Sequence, residues 1–152
     1  SIKLSSLFLQ ITIFTLAHSV TLAMASLGLV NISPSLVEPL IAASIVYVAI
    51  ENFYSKAINI RRSLVVFIFG LLHGLGFASV LAEFGLPIQQ FIPALIGFNV
   101  GVELGQLLII FAMYAIYSLI SKIIKEKFDF VRVATASALS SIGMFWFLER
   151  MV

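Results

Sequence analysis

Two histidines, His18 and His73, lie inside stretches apolar enough to cross a bilayer, and Glu38, Glu51, Asn52, Asn99, Glu103 and Gln106 lie in the same kind of stretch. Imidazole nitrogen with carboxylate and amide oxygen is a donor set suited to borderline divalent metals, and the same groups can relay protons. A charged side chain at bilayer depth costs on the order of 2.5–3.5 kcal/mol by insertion scales, so these residues imply partners, a cavity or a bound ion. The chain has no cysteine, which excludes disulfides and thiolate ligands.

The most legible pattern is Gly97-Phe-Asn99-Val-Gly101-Val-Glu103-Leu-Gly105-Gln106. At ~100° per residue its glycines share one arc of a helix, and Asn99, Glu103 and Gln106 share another roughly 170° away. The glycine arc lets a neighbouring backbone approach, and the polar arc can ligate a cation, relay protons or simply bond another helix. In Phe69-Gly70-Leu-Leu-His73-Gly74-Leu-Gly-Phe77, small residues flank the imidazole, so the spacing predicts another helix close to His73. Thr12, Thr15, His18 and Ser19 form an arc of roughly 120°, although Ser19, directly adjacent to His18, faces away from it. Glu38 and Asn52 share one face of their stretch, while Ser44, Tyr47 and Glu51 share another. Glu38 follows Ser33-Pro-Ser and fits a first-turn carboxylate; Glu51 fits a partner for Lys56 or Arg61. No phosphate loop, nucleophile elbow or His-Glu-x-x-His pattern is present.

Five apolar stretches must position these groups: about 4 to 30, 36 to 56, 63 to 83, 91 to 120 and 130 to 149. Hydrophobic residues make up 61% of the 152-residue chain and charged ones 11%, far from the roughly one quarter of soluble domains. The stretches are too long for porin strands of ~9–11 residues, so the expected fold is a single all-α bundle of about five transmembrane helices. Of nine Lys and Arg, only Arg150 falls on one side of the alternating junctions. This places the amino terminus in the cytoplasm and the carboxyl terminus outside, with Trp146 as an outer anchor. The formal charge of +2 is thereby explained by topology and points to no nucleic-acid partner. From the rise of ~1.5 Å per residue, His18 sits roughly 21 Å from the inner surface and His73 roughly 15 Å. Asn99 and Glu103 sit roughly 12 and 18 Å from the outer surface. Glu38 marks the outer end, and Glu51 and Asn52 the inner end.

In order, the strings Phe14-Thr-Leu-Ala-His18-Ser-Val-Thr-Leu22, Val37-Glu-Pro-Leu-Ile-Ala-Ala-Ser44, Ala49-Ile-Glu-Asn52, Phe69 to Ala78 and Phe98 to Gln106 resemble the successive signatures of the HupE/UreJ family, more closely its second branch. The final Phe145-Trp-Phe-Leu-Glu-Arg150 is similar to that branch's last helix. The resemblance implies a multi-pass permease-like protein of the bacterial inner membrane that handles nickel or cobalt for metalloenzymes. It implies His18, His73 and Glu103 as principal ligands, Asn99 and Glu38 as outer contacts, and Glu51, Asn52 and Gln106 as relay groups. Two departures accompany it. Phe77 stands where the nickel-permease branch has a second histidine, and nothing upstream of residue 14 supplies the His and Asp-His pair of an earlier family helix. The chain is therefore expected to be the carboxyl-terminal part of a longer protein, with a site incomplete by itself.

Two further functions fit the same residues. An intramembrane hydrolase or oxidase would hold zinc or iron with three protein ligands and an open position. A structural subunit would use the polar groups only to lock helices and to bind a partner chain or a second copy.

Overall fold

The computed structural model describes residues 4–54, 60–83, 90–124 and 128–152. They form five α-helices: α1 (Leu4–Ser26), α2 (Pro34–Tyr54), α3 (Ile60–Glu83), α4 (Phe91–Ile124) and α5 (Phe128–Glu149). All five are long and apolar enough to cross a membrane, and no strand occurs among the described residues. The predicted all-α class and five spans are what the chain adopts.

The ends differ from the hydropathy runs for local reasons. α1 stops at Ser26, earlier than its apolar run, because Gly28 takes φ 74°. There Gly28 N–H donates to Ala25 O at 3.0 Å and Leu29 N–H to Met24 O at 2.9 Å. Those two bonds satisfy last-turn carbonyls, and the left-handed conformation they need is the one glycine adopts without strain. α2 starts at Pro34, whose fixed φ suits a first helical position. α4 continues to Ile124, past the end of its apolar run near residue 120, since Ser121 and Lys122 end hydrophobicity without breaking a helix.

Packing follows a linear order, α4 on α1, α1 on α3, α3 on α2 and α2 on α5, with the α1–α3 contact the most extensive. Glycine explains that contact. A Cβ on Gly70 would lie 2.7 Å from Phe14 O and 2.9 Å from Ala17 Cβ, and one on Gly74 would meet His18 O and the Thr21 hydroxyl. The Thr21 hydroxyl donates to Leu71 O across the contact at 2.6 Å. At the other end of the row, Gly143 of α5 brings the α2 backbone close, with Val46 N 3.3 Å from where its Cβ would be.

The buried apolar residues are mostly small, including Ala17, Ala42, Ala49, Ala78 and Ala136, whereas Leu16, Leu104, Leu108 and Leu119 face outward. None of α4's most apolar stretch is buried. Small residues at helix contacts with large apolar residues on the periphery is the distribution expected in lipid, where tight backbone packing replaces the hydrophobic drive.

One clamp holds α5 to the carboxyl-terminal end of α2. Arg132 Nη1 donates to the carbonyls of Asn52 and Phe53, the latter at 3.3 Å, and Nη2 pairs with Asp129 at 3.4 Å. Those carbonyls belong to the last turn of α2, which lacks intrahelical partners and attracts a cation. Hydrogen bonds to charged groups contribute ~1.5–3 kcal/mol. Arg132→Leu is therefore expected to lower the thermal unfolding midpoint of the detergent-solubilised protein measurably, and Arg132→Lys to recover part of the loss.

Candidate functional site

α1 and α3 meet through glycine and alanine, and this close approach buries His18 and half-buries His73. His18 is 1% exposed, and neither of its ring nitrogens has a hydrogen-bond partner among the described residues. Three phenylalanines surround it. Phe14 lies nearly parallel at 6.0 Å between ring centroids, Phe98 of α4 at 6.1 Å, and Phe77 of α3 edge-on at 5.5 Å. His73 approaches Phe14 from a second side, edge-on at 5.3 Å. Its Nδ1 lies 2.7 Å from Phe69 O. A carbonyl only accepts, so in the neutral ring Nδ1 carries the proton and Nε2 keeps a lone pair. That is the orientation a backbone carbonyl imposes on metal-ligating histidines.

The polar arc of α4 faces α1, as its spacing predicts for a polar face. Ser19 donates to Asn99 Oδ1 at 2.6 Å, and Asn99 Nδ2 donates to Leu95 O at 2.8 Å. Thr15 donates to Gln106 Oε1 at 3.4 Å and Thr12 to Glu103 Oε1 at 3.5 Å. Asn99 is thus held beside the residue that follows His18. Glu103 meets α1 six residues inward of His18, roughly 9 Å along the helix axis. On the opposite glycine arc, where a close helix was expected, a Cβ on Gly97, Gly101 or Gly105 would have no atom of another helix within 4 Å among the described residues.

The two end carboxylates have other surroundings. Glu38 lies beyond the first turn of α2 and pairs at 3.4 Å with Arg150, the residue after the end of α5, so an ion pair takes the place of the first-turn capping role. Arg150 also lies over the Trp146 ring at 5.7 Å. Together with Ile41, Gly76 and Phe77 these residues line a cleft of about 290 Å³ between α2, α3 and α5. At the carboxyl-terminal end of α2, Glu51 lies 4.0 Å from Arg62 Nε, and Asn52 accepts from Arg62 Nη2 at 3.1 Å. Arg62, one position past the expected Arg61, is the partner of Glu51; Lys56 lies outside the described residues.

The structure therefore brings His18 and His73 to one phenylalanine and holds Asn99 nearby. Glu103, Glu38, Glu51, Asn52 and Gln106 stand at other levels. Among the described residues no three His, Asp or Glu side chains form a group able to hold one ion. Sequence reasoning did not single out Phe14 and Phe98 as walls of the His18 chamber, nor Arg132 and Arg150 as clamps. Only Phe14 and Phe77, each four residues from a histidine on its own helix, left a signal in the spacing.

Five membrane-length helices define a multi-pass helical membrane protein. A family profile described as HupE / UreJ protein matches residues 1–150, nearly the whole chain. The chain belongs to the HupE/UreJ family, which is related to nickel and cobalt transport. No curated protein and no solved structure matches the chain.

Proposed function

We propose that this protein is a permease of the bacterial plasma membrane that carries a divalent transition-metal cation, nickel or cobalt. The observation that carries the reading is His18. A buried polar group without a partner costs ~1–3 kcal/mol, and here both nitrogens of one imidazole are in that condition. A ligand that arrives and leaves accounts for that arrangement. His73 Nε2, with its lone pair kept available by the Phe69 carbonyl, is the second nitrogen donor. Asn99 and Glu103 supply oxygen from α4, Glu38 is the outer contact, and Glu51, Asn52 and Gln106 are the inward relay. Two imidazoles with amide and carboxylate oxygen suit nickel and cobalt, and the small number of strong donors suits release as well as capture.

Uptake of radioactive nickel and cobalt by cells expressing the protein tests this reading. His73→Ala and Glu103→Ala, present in the membrane at the unsubstituted level, are expected to lose on the order of tenfold or more of the uptake, the scale of loss when groups supporting a metal site are removed. Full uptake by both variants overturns the reading. One observation favours a structural subunit instead: Asn99, Glu103 and Gln106 all accept hydrogen bonds from α1 hydroxyls, as interhelical connectors do. Under that reading His73→Gln leaves function intact and no metal binds.

A further inference from the structure

His18 is sealed on every side that the described residues supply, and its walls are unequal. Phe14 comes from the same helix four residues away, and Phe98 comes from α4. Phe77 differs from both because its ring touches His18 at 5.5 Å and also lines the cleft between α2, α3 and α5. Phe14 and Phe98 do not line that cleft. One aromatic ring thus separates the least exposed polar side chain of the protein from an open volume of about 290 Å³. Phe77 is itself 40% exposed, so its edge away from His18 has room to move, whereas His18 at 1% has none.

The cleft is chemically suited to an arriving cation. Glu38 stands in its lining, held by Arg150, which rests on Trp146. The guanidinium keeps the carboxylate positioned while no other cation is present. A divalent ion carries twice the charge of the guanidinium and competes with it for the same oxygens. The rest of the lining that faces α3 is apolar, with Ile41, Gly76 and Phe77, so Glu38 is the carboxylate of the cleft that an entering cation can meet.

We propose that the cleft between α2, α3 and α5 is the outer entrance to the His18 chamber, with Glu38 as its first cation contact and Phe77 as the door between the two. Rotation of the Phe77 side chain joins cleft and chamber without any movement of the α1–α3 contact. The proposal rests on the reading of His18 as a transport ligand and adds the route to it.

The absence of native cysteine allows a direct test. A single cysteine at position 18 (His18→Cys) is exposed to a membrane-impermeant thiol reagent added from the outer side of right-side-out vesicles, and its modification rate is measured with Phe77 intact and with Phe77→Ala. The expected result is slow modification with Phe77 intact and a rate on the order of tenfold or more higher with Phe77→Ala. Phe77→Leu should fall between the two, which keeps the test usable if the alanine variant folds poorly. Val80→Cys, in the cleft lining, should react quickly in all three backgrounds. Rapid modification of position 18 behind an intact Phe77, or equal rates in all backgrounds, overturns the proposal. Because the readout is chemical access, it separates the two readings. Gated access together with full metal uptake by both His73→Ala and Glu103→Ala would retain the door and overturn the reading of these residues as transport ligands, and ungated access with uptake lost in both variants would do the opposite.

Discussion

Replacing His18 with phenylalanine is expected to make the metal-free protein more stable while abolishing nickel and cobalt uptake. The first half follows from the chamber. His18 is stacked against Phe14 and Phe98 and met edge-on by Phe77, surroundings that suit an aromatic hydrocarbon ring better than an imidazole with two unbonded nitrogens. Removing the unsatisfied polar atoms while keeping a planar ring recovers a penalty of ~1–3 kcal/mol. The second half follows from the loss of the buried nitrogen donor. Thermal unfolding of purified protein and metal uptake in cells measure the two halves separately. A histidine kept only for packing would yield greater stability with function unchanged, and a histidine that bonds an unseen partner would yield lower stability. Higher stability with lost uptake is the pattern of a residue retained for function against the preference of its surroundings.

The second large effect is expected at Gly74. Its Cβ would meet Thr21 Oγ1 and His18 O and would lie 2.9 Å from Leu22 N. Two of those three atoms are backbone and cannot rotate aside, so Gly74→Ala must separate α1 from α3 across the most extensive contact in the protein. Overpacking of this kind costs typically 1–3 kcal/mol, roughly speaking, and more where backbone opposes it. The same displacement moves His18 relative to His73, so uptake should fall along with the melting temperature. Gly101→Ala supplies the control, since its Cβ meets nothing within 4 Å and the substitution should be nearly silent. If Gly101→Ala and Gly74→Ala destabilise the protein equally, the packing order of α4 on α1 and α1 on α3 is wrong.

Much of this architecture was legible from residues in the chain. The membrane class followed from uninterrupted apolar length, and the crowding of His73 by a neighbouring helix followed from Gly70 and Gly74. Glu103, expected as a ligand together with His18 and His73, instead meets α1 at Thr12, away from His18. Azimuth was the missing quantity. Hydropathy gives the level of a residue in the bilayer but not which helix it faces, so it could place Glu51 near the basic junction without choosing Arg62 over Arg61. Glu38 was read from its own helix as a capping group, although its partner Arg150 is 112 positions away and arrives only because α5 packs on α2. Phe98 was not distinguishable from a lipid-facing phenylalanine, whereas Phe14 and Phe77 each lie four residues from a histidine on the same helix. Ser19 bonds Asn99 of α4 while His18 stacks on the adjacent Phe98, a pairing that depends on where α4 packs.

The linear packing order gives this protein an unusual relation to its solvent. A closed ring of helices would shield its interior with protein on all sides, whereas in an open file every helix keeps a long flank against acyl chains. α4 is the extreme case, with none of its most apolar stretch buried and hydroxyl contacts at 2.6, 3.4 and 3.5 Å to α1. It is also the helix that supplies Phe98 and Asn99 to the imidazole chamber. Acyl-chain length and order therefore press directly on one wall of the chamber. The bilayer acts here as a structural component of the site, and the lipid composition of a reconstituted membrane becomes a variable of its chemistry.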